Sequence, residues 1–136
     1  MTKPHETLLH RWFEEVWNQG NVGIVDELFD AAGIAHGLVG EDGKELRGPA
    51  GFKPFLQNFR SAFPDIHIEI NDTVVEGDKI AARCTVRGTH AGMGIGLAPT
   101  GRSVTFTGMT IVRTQHGKII EAWNNFDFQG LFQQLS

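Results

Sequence analysis

Between residues 5 and 18 the apolar positions are Leu8, Leu9, Trp12, Phe13, Val16 and Trp17, with His10, Arg11, Glu14 and Glu15 between them. That spacing puts one apolar stripe on a helix, with Pro4 near its start and Gly20 just past its end. A short second helix is predicted over "VGIVDELF", with Ile24, Val25, Leu28 and Phe29 inward, ending near Ala32 and Gly33. A third is predicted from "GPAGFKPFLQNFRSAFPD", burying Phe52, Phe55, Leu56, Phe59 and Phe63. Pro49 suits its first turn, Pro54 predicts a kink or a late start, and Pro64 ends it. From residue 65 the period becomes two: Ile66, Ile68 and Ile70 alternate with His67, Glu69 and Asn71. Turns at 76–78 and at "QHGK" separate "KIAARCTVRGTH", "SVTFTGMTIVRT" and "IIEAWNNFDF", so four strands form an antiparallel meander. Helices followed by strands predict an α+β domain over residues 1–136, its curved sheet wrapped round three N-terminal helices and an apolar pocket.

The segment "GTHAGMGIGLAPTGR" at 88–102 interrupts that sheet. Its glycines do not make a phosphate cradle. A dinucleotide or P-loop site needs a helix N-terminus immediately afterwards, and here a strand follows. A net charge of −4, without a basic run, argues against nucleic acid as a partner. One cysteine, Cys84, permits no internal disulfide and suits a reducing compartment. "MTKPHETLLHRW" breaks into charge before a signal-type apolar region forms, and no apolar run reaches membrane length, so a cytoplasmic protein that does not engage membranes is expected. There are ten Phe and three Trp but no Tyr, which rules out a tyrosine hydroxyl as proton donor.

Alternation in the last strand places Trp123, Asn125 and Asp127 on one face and Ala122, Asn124, Phe126 and Phe128 on the other. Thr105, Thr107, Met109 and Ile111 share a face of the preceding strand. If these Asp127 and Met109 faces look into the cavity, Asp127 loses hydration there and can shuttle a proton. The other reading of Asp127 is an N-cap for the final turn "DFQGLF". His36 and His90 stand at ends of apolar segments, where imidazole could orient an oxygen or trade a proton, or simply bond to backbone. His5, His10, His67 and His116 read as solvated, and the histidine spacing suggests no metal. Arg83, Arg87 and Arg113 read as cross-sheet ion-pair partners, and Cys84 as packing. No G-x-S-x-G element is present.

Three blocks, "LRGPAGFKPFLQNFRSAFPDIHIEI", "GTHAG" with "APTGRSVTFTGMTIVR", and "GKIIEAWNNFDFQGLFQQL", together resemble the SnoaL-like polyketide cyclases, or ester cyclases. The resemblance implies the cone-shaped α+β fold of ketosteroid isomerase and scytalone dehydratase, with one deep pocket. It implies ring closure of a hydrophobic polyketide-like substrate by intramolecular aldol condensation, without metal or cofactor, and a homodimer formed through the outer sheet surface. On it, Asp127 is the general acid/base, with His90 and His36 as supporting catalytic groups. Trp123, Asn125, Met109, Ile111, Trp12, Val16 and Phe59 form the substrate surface, and the glycine segment becomes a loop at the pocket rim. Asn125 leaves Asp127 without a second acid on its strand, so His36 or His90 would supply one. Missing tyrosine disfavours a ketosteroid-isomerase mechanism, and an epoxide hydrolase would need a second buried Asp. The alternatives are a binding protein for a hydrophobic small molecule, with the same pocket and no turnover, and a dimerisation domain with a filled core.

Overall fold

The computed structural model describes residues 7–40 and 42–136; Pro4 and His5 lie outside them. The first helix is built in two pitches. An α-helical turn, α1 (Leu8–Arg11), continues as a π-helix over Trp12–Asn18. At its end Gln19 N–H donates to the Glu14 carbonyl at 2.9 Å, an i→i+5 bond. The wider turn brings positions four and five apart onto one face, so Trp12, Phe13, Val16 and Trp17 are all buried. Helix α2 (Val22–Leu28) follows, and α3 (Gly48–Ala62) runs unbroken through Pro54. No late start occurs at Pro54, because α3 begins a full turn earlier with Pro49 in its first turn.

Two strands precede the predicted meander. The chain leaves α2 at Leu28 and enters β1 (Phe29–Val39) directly, in place of the predicted helix end near Gly33, and β2 (Glu45–Arg47) turns back on β1. The meander is β3 (His67–Glu76), β4 (Lys79–Thr89), β5 (Ser103–Gln115) and β6 (Lys118–Phe126), and a short helix, α4 (Phe128–Gln134), closes the chain. The six-stranded sheet has the order β2-β1-β6-β5-β4-β3, with β1 parallel to β6 and every other pairing antiparallel. One face of this sheet packs on the helices. An aromatic cluster fills the layer between them: Phe52 lies 4.9 Å from Trp12 and 5.9 Å from both Trp17 and Phe29, ring centre to ring centre. Tilted and edge-on pairs of this kind add to the burial of their apolar area.

The parallel junction is made by close backbone approach. Gly37 has φ +83°, and a Cβ there would sit 1.9 Å from the Asn124 carbonyl oxygen. The glycine loop uses the same device against α3: a Cβ on Gly92 or Gly94 would fall 2.1 Å from Ser61 O or 1.7 Å from Asn58 O. Ala91 and Gly92 N–H both donate to the Ala62 carbonyl. The loop therefore lies flat on the C-terminal end of α3, and its glycines serve contact with helix backbone. The substitution Gly37→Ala combines a left-handed backbone with a clash that backbone cannot relieve. It is expected to destabilise the fold by at least about 2 kcal/mol, and a shift of the urea midpoint of less than half that size would contradict the packing described.

Candidate active site

Between the sheet and the helices lies a cavity of about 60 Å³. Its walls are aromatic and aliphatic, with Trp12, Trp17 and Phe59 from the helices facing Phe106, Ala122 and Phe126 from the sheet. Leu38, Phe55, Phe59 and Phe128 also belong to a wider vestibule of about 830 Å³, so these four side chains stand at the passage between the two spaces. The vestibule is walled by the β1–β2 hairpin, α3, the glycine loop at Gly94, Ile95 and Gly96, and Phe132 of α4. The inner space is the size of a few waters or a small ring, whereas the outer one accommodates several fused rings.

Strand alternation decides which side chains reach the cavity. On β5 the inward set is Val104, Phe106, Gly108, Thr110 and Val112; on β6 it is Ala122, Asn124 and Phe126. Met109, Ile111 and Trp123 point the other way and are 56%, 44% and 36% exposed. Asn125 is exposed beside them. The expected substrate surface on these two strands is thus the outer face. The outer face carries large apolar side chains of its own, which imitate a cavity wall in the sequence. Trp12 and Phe59 do line the cavity, whereas Val16 is fully enclosed in packing behind it.

Asp127 also lies outside. It is exposed and N-caps α4, its Oδ1 accepting from Gly130 N–H at 2.9 Å. The carboxylate is therefore held by the Gly130 amide at an exposed helix end and does not sit among apolar side chains. His90 is fully buried at the base of the glycine loop, with its ring 5.5 Å from that of Phe63. Its Nδ1 accepts from Thr100 N–H at 3.3 Å and meets Thr100 Oγ1 at 3.1 Å, a structural bond that fastens the two ends of the loop. Neither His90 nor Asp127 lines the cavity or the vestibule. His36, Asp127 and His90 are not assembled into one constellation.

Two polar side chains that the sequence reading passed over do reach the cavity. Thr110 Oγ1 donates to Asn124 Oδ1 at 2.9 Å, and Asn124 Nδ2 donates to the His36 carbonyl at 2.9 Å. The available signal was a polar residue at the third place of an apolar alternation, Asn124 between Ala122 and Phe126. Among the described residues no carboxylate or imidazole lines the inner cavity.

Titratable groups gather instead at the β1–β2 corner. His36 Nδ1 lies 2.8 Å from Glu45 Oε2 and its Nε2 2.7 Å from Glu121 Oε2, while Trp123 stacks on the ring at 5.8 Å. Arg113 reaches the other oxygen of Glu121 at 3.4 Å. Glu45 is also a residue of the vestibule wall, while its carboxylate is bonded to His36 on the sheet face that carries Trp123. The bonds to Glu121 and then Glu45 raise the His36 pKa above its ordinary 6.5, against a smaller opposing effect of burial. The bond from His36 chiefly, with a smaller one from Arg113, lowers Glu121 below its ordinary 4.5. Arg87 pairs with Glu69 at 3.0 Å on the exposed sheet face; Arg83 makes no ion pair among the described residues. Cys84 is buried, and burial pushes its thiol up to about 11, which leaves it unreactive. Among the described residues no group of three His, Cys, Asp or Glu side chains is placed to hold a metal ion.

A helix-covered curved sheet enclosing an aromatic cavity is the cone-shaped α+β architecture of the family matched below. The chain belongs to the SnoaL-like polyketide cyclase family, whose pattern it matches over residues 7–135, and is an enzyme of that cyclase type. It is 28% identical over 128 residues to the aklanonic acid methyl ester cyclase DnrD of Streptomyces peucetius, covering 93% of this chain and 88% of that protein. DauD of Streptomyces sp. (strain C5), with the same designation, is also 28% identical, over 93% of this chain and 79% of its own length. Among solved structures, IdmH of Streptomyces antibioticus superimposes with a TM-score of 0.80 at 30% identity, over 94% of this chain and 95% of its own. No helix of the described residues is long and apolar enough to cross a membrane.

The His36 ion pairs carry a signed pH dependence. A raised imidazole stabilises fully below 6.5, and that contribution is lost as pH rises through the raised value. The lowered Glu121 carboxyl stabilises fully above 4.5 and loses its contribution as pH falls through the lowered value. Both act together between about 4.5 and 6.5. His36→Gln is expected to lower the melting temperature in that window by a few degrees at most, the groups being partly exposed and screened. The difference should shrink at alkaline pH; melts that differ equally at every pH would contradict the assignment.

Proposed function

We propose that this enzyme closes a carbocyclic ring in a neutral, ester-bearing polyketide-like substrate, and that Glu45 is its general base with His36 as the positioning residue. The observation that carries this reading is that Glu45, a residue of the vestibule wall, belongs to a Glu45–His36–Glu121 chain with contacts of 2.8 and 2.7 Å, while the adjoining cavity is lined by no titratable side chain among the described residues. The substrate's folded end enters the aromatic cavity and its remaining rings lie in the vestibule. Glu45 removes the acidic proton between two carbonyls. The enolate carbon attacks a ketone carbonyl to form the new carbon–carbon bond, the ketone's π electrons move to oxygen, and protonated Glu45 returns the proton to that alkoxide. No atom is lost, and much of the acceleration comes from holding the two carbons in contact. The methyl ester in the names of the two curated relatives supports a neutral substrate. So does the charge of the walls, where Asp42 and Glu45 disfavour a free carboxylate and neither a lysine nor an arginine is present to receive one.

The test is turnover of methyl esters and free acids of linear tricyclic β-diketones, followed by the change in ring absorbance. Glu45→Gln should reduce kcat by about a hundredfold or more, whereas Asp127→Asn should leave it unchanged. Retained turnover in Glu45→Gln, or its loss in Asp127→Asn, would sink the assignment.

We propose further that the outer face of the sheet, where Met109, Ile111 and Trp123 are exposed, pairs with a second copy of the chain. Ile111→Asp should then give a monomer by sedimentation velocity; an unchanged sedimentation coefficient would place the contact elsewhere, or show the parent protein to be monomeric. The reduced, buried Cys84 is consistent with a cytoplasmic enzyme.

A further inference from the structure

Two residues of the cavity wall carry hydrogen-bond donors that the protein does not use. Trp12 and Trp17 both line it and are 7% and 6% exposed, so each is more than nine-tenths buried. Among the described residues neither indole N–H donates a hydrogen bond to a protein acceptor, while the one side-chain nitrogen fully sealed and unpaired is His90 Nε2. The two indole nitrogens are thus unpaired without being sealed off, and the rings that carry them belong to the cavity wall. An unpaired N–H at such depth carries a desolvation penalty, which a ligand acceptor would remove. The π-helical pitch places the two residues five apart on one inward face, and Phe52 packs against both rings, so their orientation is fixed before a ligand arrives. Opposite them, the Asn124 and Thr110 polar groups are already bonded to each other and to the His36 carbonyl. In a chain with no tyrosine, indole N–H groups are the donors this cavity has to spare.

We propose that Trp12 and Trp17 form a carbonyl-reading subsite, which fixes the orientation of an aryl ketone by donating indole hydrogen bonds to its oxygen. This rests on the cyclase reading above, in which the inserted end of the substrate carries a ketone or its enolate. The same donors then stabilise the negative oxygen of the enolate, because they point at it without reorganisation in a site of low dielectric. The subsite selects for a ring bearing an acceptor oxygen over an unsubstituted hydrocarbon of the same shape.

The experiment compares acetophenone with ethylbenzene, two single-ring probes of nearly equal size that differ by the acceptor, titrated into ¹⁵N-labelled protein. The indole N–H resonances of Trp12 and Trp17 are expected to move downfield with acetophenone and to respond only weakly to ethylbenzene, while Trp123, on the outer face, serves as the internal reference. Trp12→Phe and Trp17→Phe, which keep an aromatic ring in the wall, should each weaken acetophenone by about fivefold and leave ethylbenzene unchanged. Equal responses to both probes, or acetophenone affinity unaltered in both variants, would overturn the subsite while leaving the apolar cavity intact. Failure of either probe to bind the wild-type protein would instead remove the small-molecule reading on which the subsite rests. The wild-type resonances decide the matter even if a variant does not fold.

Discussion

Both the cavity and its mouth depend on β1 lying parallel against β6. The two strands come from opposite ends of the chain, and their register, Ala35 beside Ala122 and His36 beside Trp123, is held by Asn124 reaching across to the His36 carbonyl. A parallel pair needs a long crossover, and here the whole of α3 and the meander supply it. The approach is close enough that position 37 admits only a hydrogen in place of a side chain. Through this junction β1 contributes Ala35 and Leu38 to the cavity, and through β2 it delivers Glu45 to the vestibule. One amide side chain thus couples the closure of the sheet to the position of the proposed base.

The pocket's polarity is divided by depth. Its inner part is aromatic and uncharged, and its polar side chains are either spent on one another or are indoles. Charge begins at the rim, where Glu45 pairs with an imidazole that also pairs with Glu121, on the sheet face that carries Trp123. Such a chain keeps its ions at the partly exposed surface and out of the apolar layer, where desolvation would be costly. In the proposed mechanism proton transfer takes place at the mouth and folding of the substrate inside.

How much of this could be read from the chain depended on whether the signal was local. The meander was legible because alternation and turn residues are contained within each strand, and so was α3 because five apolar side chains repeat at helical spacing. The α+β class and the family pattern followed. Strand β1 was not legible: "FDAAGIAHGLV" is rich in small residues, lacks alternation, and has as its partner a strand nearly ninety residues away. The choice of sheet face failed for a different reason. Periodicity separates two faces without saying which is inside, and Met109, Ile111 and Trp123 gave the outer face an apolar character. Asp127 followed that inverted assignment, although its alternative reading as a helix cap needed only "DFQG". Glu45 had no signal of its own, since its role depends on contact with His36 across a hairpin.

The pinned glycine loop also bears on how this scaffold can diverge. Gly92 and Gly94 rest on the carbonyls of α3, so lineages descending from this sequence are not free to alter them, whereas Ile95, the residue after them, belongs to the vestibule wall. A single variable site beside an invariant pair allows the outline of the entrance to be re-cut by one codon change, with the β1–β2 corner and the sheet untouched. Diversification of substrate range in such a scaffold would be concentrated at Ile95 and at the hairpin tip across from it, and would leave little trace in the rest of the sequence.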